Sequence, residues 1–147
     1  MFKLIKVYLS GPMYLGKEQA TKWRDEVKEI LLSCNCNEPT YKIYDPCIRF
    51  FDDKNFLGQN GSWIVKIDKM EIADSDVVIV NATEPGWGTP MEQYIAYSTG
   101  KFVIAFDDKD HASIWTKAHC HVYVESPRLA AKWLCEHSDQ LILSGEA

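Results

Sequence analysis

Glu92 is the residue whose type and place in the sequence most plainly suit chemistry. It closes Thr89-Pro90-Met91-Glu92, just after the Gly-rich stretch Asn81 to Gly88, which itself follows the apolar run Val77-Val78-Ile79-Val80. Such a run reads as a strand buried on both faces, and in open α/β sheets ligands bind in the crevice beyond the carboxyl ends of the strands. An ionised carboxylate delivered there is a candidate nucleophile. The same four residues also fit a capping box, with Thr89 at N-cap, Pro90 at N1 and Glu92 at N3. In that arrangement the side chain folds back to the cap amide and does no chemistry. A helix N-terminus stabilises the ionised form in either case.

Three more residues carry ionisable or polar groups that could join Glu92. Tyr8 lies near the end of the first apolar run, either as a core aromatic or as a phenol presented to Glu92. Asp68 stands four residues after Ile64 and four before Ile72, so it lies on or beside an apolar stripe. Burial there raises a carboxyl pKa, which suits a proton donor, whereas a solvated helix flank would leave it an ordinary charge. Asp45, before Pro46, fits a turn or a site contact. Cys34-Asn35-Cys36 and His119-Cys120-His121 lack metal-site spacing, and adjacent strand residues point to opposite faces, so no metal is expected.

These residues must be positioned by a regular frame. The sequence predicts strands over Lys3–Ser10, Tyr41–Tyr44, Val77–Val80, Phe102–Phe106 and His121–Val124. Between them, helical spacing predicts helices over Lys17–Leu32, from an N-cap at Ser62 to Ala73, over Thr89–Thr99 with Gly100 at C′, over Ala112–Ala118, and from Ser126-Pro127 to about His137. Ser33–Thr40 reads as a polar connection. Cys47–Gly61 mixes aromatics with Asp and Gly and reads as an irregular excursion that folds over a pocket. Alternating strands and helices imply an α/β protein with one five-stranded, doubly wound parallel sheet of flavodoxin-like order, 2-1-3-4-5. The first and third strands then flank the crevice, which sets Ser10, Gly11 and Pro12 opposite Asn81, Gly88 and Glu92.

Composition narrows the partners. One domain fits 147 residues, and a hydrophobic share of 46% suffices for one core. A net charge of −5 disfavours a nucleic-acid polymer, and no window has the length of a membrane span. Five cysteines without a framework pattern suit reduced thiols in the cytoplasm. There is no G-x-G-x-x-G fingerprint and no P-loop, and the first loop lacks the Ser/Thr run of a flavin phosphate site, so no cofactor is expected.

Val7-Tyr8-Leu9-Ser10-Gly11-Pro12-Met13, Asp68 to Asp76, and Gly88-Thr89-Pro90-Met91-Glu92 with Ala96 and Gly100-Lys101 together resemble the nucleoside 2-deoxyribosyltransferase superfamily, in order and spacing over roughly residues 5 to 106. The resemblance implies a retaining double displacement at an N-glycosidic bond, with Glu92 as nucleophile, Tyr8 holding it and Asp68 serving proton transfer. It implies a small-molecule nucleoside or nucleotide as substrate; together with the strand order, this sets Ser10, Gly11, Pro12, Met13, Lys17, Asp45, Asn81, Gly86, Trp87, Gly88 and Met91 as the candidate contacts. It also implies a homo-oligomer with shared active sites, for which Trp115, Tyr123 and Trp133 are candidate contact aromatics. Two positions depart from the pattern. Gly86 stands where transferases often carry a base-contacting Asp. His121 stands near where they lend an Asn to a neighbouring subunit.

Two other functions remain open on the sequence. A related branch hydrolyses deoxynucleoside 5′-monophosphates and binds phosphate through Ser and Arg of the first loop. Here Ser10, Lys17 and, on the helix, Arg24 are the available groups. A non-catalytic nucleotide-binding module would keep the glycine loop without needing Tyr8, Asp68 and Glu92 to converge.

Overall fold

Alternating side-chain direction along each strand decides which helices cover which face. The computed structural model describes residues 3–34, 39–52 and 61–145. Its strands are β1 (Leu4–Ser10), β2 (Thr40–Tyr44), β3 (Val77–Asn81), β4 (Phe102–Phe106) and β5 (Val122–Val124). All pair in parallel in the order β2-β1-β3-β4-β5, with Val7 opposite Val77 and Ser10 opposite Val80. This is the doubly wound, flavodoxin-like order read from the sequence. Val77 to Val80 of central β3 are wholly buried, as a strand covered on both faces requires.

Ile5, Val7, Leu9, Val77, Ile79, Ile104 and Phe106 face α1 (Lys17–Leu32) and α5 (Pro127–Gly145), meeting Trp23, Val27, Leu31, Ala130, Ala131 and Leu134. The residues between them, Tyr8, Val78, Val80, Val103 and Ala105, face Ile72 of α2 (Gly61–Asp74) and Ala96 of α3 (Gly88–Ser98). A short α4 (Ile114–Ala118) follows β4, capped by the Ser113 hydroxyl, which accepts from the Thr116 amide.

Helix ends follow local chemistry, with one cap displaced from its predicted place. Gly100 sits at φ 85°, and the Gly100 and Lys101 amides reach Tyr97 O and Ala96 O, closing α3 in a Schellman motif. Ser62 lies inside the first turn of α2 and not at its cap, because the helix already includes Gly61. The first segment of the last helix ends at His137, as the sequence predicts. The backbone kinks there (φ −121°, ψ 16°) and helix continues to Gly145. Of the predicted excursion, residues 48–52 form a π-helical turn, and residues 53–60 lie outside the described residues, as do 35–38 of the preceding connection.

Candidate active site

Tyr8 and Ser10 lie two residues apart on β1, so both side chains point to the α2/α3 face. There they meet Glu92. The Tyr8 phenol donates to Glu92 Oε2, and the Ser10 hydroxyl donates to Oε1 at 3.0 Å. The capping box is not formed: α3 starts at Gly88, which moves the N-cap two residues back from Thr89 to Trp87, with no side-chain cap bond. With the helix shifted, the carboxylate finds its partners on the sheet instead of on its own first turn. Tyr8 and Ser10 are fully buried, while Glu92 is half-buried.

Burial pushes the Glu92 carboxyl up to about 7; the Tyr8 bond works against that rise, and the nearby Asp68 charge adds to it. Burial, then the negative field of Glu92 and Asp68, lift the Tyr8 phenol far above its usual range, so it stays a hydrogen-bond donor. Asp68 is also raised, chiefly by burial, against the opposing bond and charge of Arg49. Arg49 Nη2 donates to Asp68 Oδ1 at 2.9 Å. Asp68 is therefore neither a fully solvated flank charge nor an unpaired acid.

Two cavities share Asp68, Gly88 and Glu92 in their walls. The smaller, about 390 Å³, lies beyond the carboxyl end of β1 and is lined also by Tyr8, Gly11, Pro12, Met13, Gly86 and Trp87. The larger, about 700 Å³, is an apolar groove between α2, α3 and α4, with Val65, Met91, Tyr94 and Trp115 in its walls. A nucleoside-sized ligand fits the volume range of the smaller one.

Most of the predicted contact residues border this space, and several do not. Gly11 leaves no room for a side chain: a Cβ there would stand 2.6 Å from Trp23 Cζ2 and 3.1 Å from Asn81 Cβ. Trp87 is almost fully exposed over the smaller cavity, and Met91 faces the groove. Asn81 Oδ1 instead accepts from the Thr83 amide and borders a separate cavity of about 290 Å³. Ser10 is walled in and engaged with Glu92, so it is not a ligand contact in this arrangement. Lys17 is exposed at the start of α1, away from both cavities.

The other departures share a cause: each side chain already has strong partners elsewhere. Asp45 is buried, its carboxylate taken up by Lys28, by Arg24 at 3.6 Å and by the Cys47 amide at 2.9 Å, the last an Asx turn. Arg24 is wholly buried and donates to Ala20 O at 2.7 Å and Gly11 O at 3.0 Å, so it fixes the first loop from behind. His121 sits at the amino end of the sheet, stacked on Phe102 with Nδ1 accepting from the Val103 amide, and lines neither cavity. Of the three predicted contact aromatics, Trp115 is exposed. Tyr123 bonds Asp107, and Trp133 is stacked between Phe102 and His137.

Sequence reading missed Tyr14, Phe50, Pro46 and Arg49. Tyr14, Pro46 and Phe50 line the smaller cavity, and the Tyr14 hydroxyl donates to Pro85 O, linking the first loop to the glycine loop. Phe50 belongs to the aromatic excursion predicted to cover a pocket, which was its one visible signal. Nothing in the local pattern marks Arg49 as a partner for α2.

The fold and the cleft at its switch point define a flavodoxin-like α/β protein with a carboxylate site between β1 and α3. Among solved structures it is similar to a 2-deoxyribosyltransferase from Bacillus psychrosaccharolyticus, at a TM-score of 0.62 and 19% identity over 86% of this chain and 90% of that one. It is similar also to a 2-desoxiribosyltransferase from Leishmania mexicana, at 0.64 and 16% over 90% and 98%. A conserved protein from Enterococcus faecalis V583 matches at 0.61 and 15% over 93% and 98%. At these identities the likeness is one of fold. No family model matches the sequence, and no curated protein does.

Proposed function

We propose that this chain is a member of the nucleoside 2-deoxyribosyltransferase superfamily. It cleaves the N-glycosidic bond of a 2′-deoxynucleoside and transfers the sugar to another base. One observation carries the reading: Tyr8 and Ser10 hold the two oxygens of Glu92 at the edge of a cavity that Asp68 also lines. A Glu92 oxygen attacks the anomeric carbon as the C–N bond breaks, and the bonding pair leaves with the base. Asp68 gives that base its proton. A second base then displaces Glu92 from the glycosyl ester and returns a proton to Asp68. The transition state is cation-like, so the carboxylate stabilises it as well as attacking. Deoxyribose lacks the 2-hydroxyl that would oppose the cation.

Trp87 offers a face on which a base can stack, a contact worth about 1–3 kcal/mol. With Gly86 in place of an acid, base use is expected to be broad, with some hydrolysis beside transfer. The monophosphate hydrolase alternative is weakened by Arg24 and Ser10, whose polar groups are engaged inside the protein. A non-catalytic module would not require a carboxylate raised by burial between two strand donors. No helix among the described residues is long and apolar enough to cross a membrane. A cytoplasmic setting belongs to the same reading, supported by five cysteines without a framework spacing. Assembly into a homo-oligomer is part of the same reading. The exposed Met91, Tyr94 and Trp115 of the groove support it, and sedimentation at assay concentration tests it.

The deciding experiment counts products. The protein is incubated with deoxynucleosides or their 5′-monophosphates and a second base at rising concentration. New nucleoside is expected beside free deoxyribose. Free sugar alone at saturating base would replace transfer by hydrolysis, and no cleavage of any donor would leave the binding-module reading.

A further inference from the structure

Asp68 is not held by its own helix. Arg49, on the π-helical turn Ile48–Asp52, reaches across to α2 and meets two carboxylates there. It bonds Glu71 with both Nη atoms, Nη2 to Oε2 at 3.0 Å, while Nη2 also bonds Asp68 Oδ1 at 2.9 Å. The two acids are three residues apart, so they share a helix face and repel when both are charged. All three side chains are largely buried, at 18–23% exposure, where that repulsion is poorly screened. The planar guanidinium fork can hold two carboxylates at fixed angles, which a lysine ammonium cannot. Among the described residues, the charged or titratable groups that act on this cluster include Glu92 on α3, Tyr8 on β1 and Arg24 on α1.

We propose that Arg49 is a positioning residue that aims the Asp68 carboxyl into the Glu92 cavity and fixes its acidity against Glu71. The kinetic half of this inference rests on Asp68 being the proton donor; the ionic half rests on the ion-pair geometry alone. Burial, the largest influence, makes Asp68 a weaker acid, Arg49 opposes that, and Glu71 adds to it. With Arg49 in place, Asp68 releases its proton to a departing base more readily than burial alone would allow. The same turn carries Phe50 into the cavity wall, so one residue ties that wall to the proton donor.

The test follows the Asp68 carboxyl carbon by NMR titration in protein labelled with ¹³C at Asp, the resonance being assigned by its loss in Asp68→Asn. Arg49→Met is expected to move the Asp68 midpoint up by about one pH unit or more. Arg49→Lys is expected to fall between Arg49→Met and the original, and Glu71→Gln to move the midpoint down. If Arg49→Met does not fold, Arg49→Lys and Glu71→Gln still test the inference in opposite directions. A midpoint unmoved in every folded variant overturns it. In turnover, Arg49→Met is expected to lower kcat roughly tenfold for poor leaving bases, leave KM nearly unchanged and largely spare activated leaving groups. An equal loss for both kinds of leaving group would make Arg49 merely structural. If the unmodified protein cleaves no deoxynucleoside at all, the enzymatic reading fails, while the titration still decides how Arg49 acts on Asp68.

Discussion

Ser10 Oγ lies 3.0 Å from Glu92 Oε1, a bond between the last residue of β1 and the first turns of α3. It leaves Glu92 with a donor on each oxygen, since the Tyr8 phenol takes the other. A carboxylate held this way has little rotational freedom, so the entropy of aiming it is lost on folding and not during reaction.

Glu92→Gln is expected to lower turnover roughly a thousandfold or more, as loss of a nucleophile does. It also has a stability signature. The folded pKa of about 7 lies above the ordinary carboxyl value of 4.5. The folded protein therefore binds the proton more tightly, and this contribution is full below about pH 4.5 and lost as pH rises through 7. The amide cannot ionise, so Glu92→Gln is expected to melt higher than the original protein at pH 8, with the gap closing by pH 5. Thermal melts at both pH values check this; a gap independent of pH would contradict it.

Tyr8→Phe removes the bond that opposes the upward shift of Glu92. The acid limb of the kcat/KM profile is expected to move to higher pH, with a rate loss of roughly tenfold to a hundredfold at neutral pH. An acid limb left where it was would mean that the phenol does not hold the reacting carboxylate.

Asp68→Asn tests proton delivery. Donors with poor leaving bases are expected to lose at least roughly a hundredfold in kcat, while chemically activated leaving groups are partly spared. A flat response across leaving groups would remove Asp68 from proton transfer.

Asp107→Ala concerns stability and not chemistry. This buried carboxylate accepts from the amides of Lys109 at 2.9 Å and of His111 and Ala112 at 2.7 Å each. Burial raises its pKa, but those three amides and Tyr123 outweigh burial and bring it below the ordinary value. Its contribution is therefore present above the unfolded carboxyl pKa and lost as pH falls through the lower folded one. The substitution is expected to cost about 1–3 kcal/mol at pH 7 by taking the shared acceptor from three part-buried amides, and less at pH 3, as urea titrations at the two pH values would read.

The frame was legible because each strand announces itself: Val77 to Val80 is apolar throughout, as only a doubly covered strand is, and its place between helices fixed the sheet order. Glu92 was found for the same reason, since it follows that strand. Its partners were harder. Thr89-Pro90-Met91-Glu92 satisfies every local rule for a capping box, and only contacts 82 and 84 residues away overrule it. Arg24 looked available for phosphate, yet its phase with Ala20, Trp23 and Val27 puts it on the buried side of α1, a signal the helix pattern did contain. Arg49 left no such trace, because an ion pair from an irregular turn to a helix has no period.

Glu92 stands in a partition and not at the bottom of a well. Its neighbours Asp68 and Gly88 are likewise shared by the 390 Å³ cavity and the 700 Å³ groove. A sugar ester formed on Glu92 would thus have a second side through which solvent can arrive without passing the base. The lifetime of that ester would be governed by whatever plugs the groove around Met91 and Trp115. Leakage to water and choice of base would then be separable traits, set on opposite sides of one helix turn.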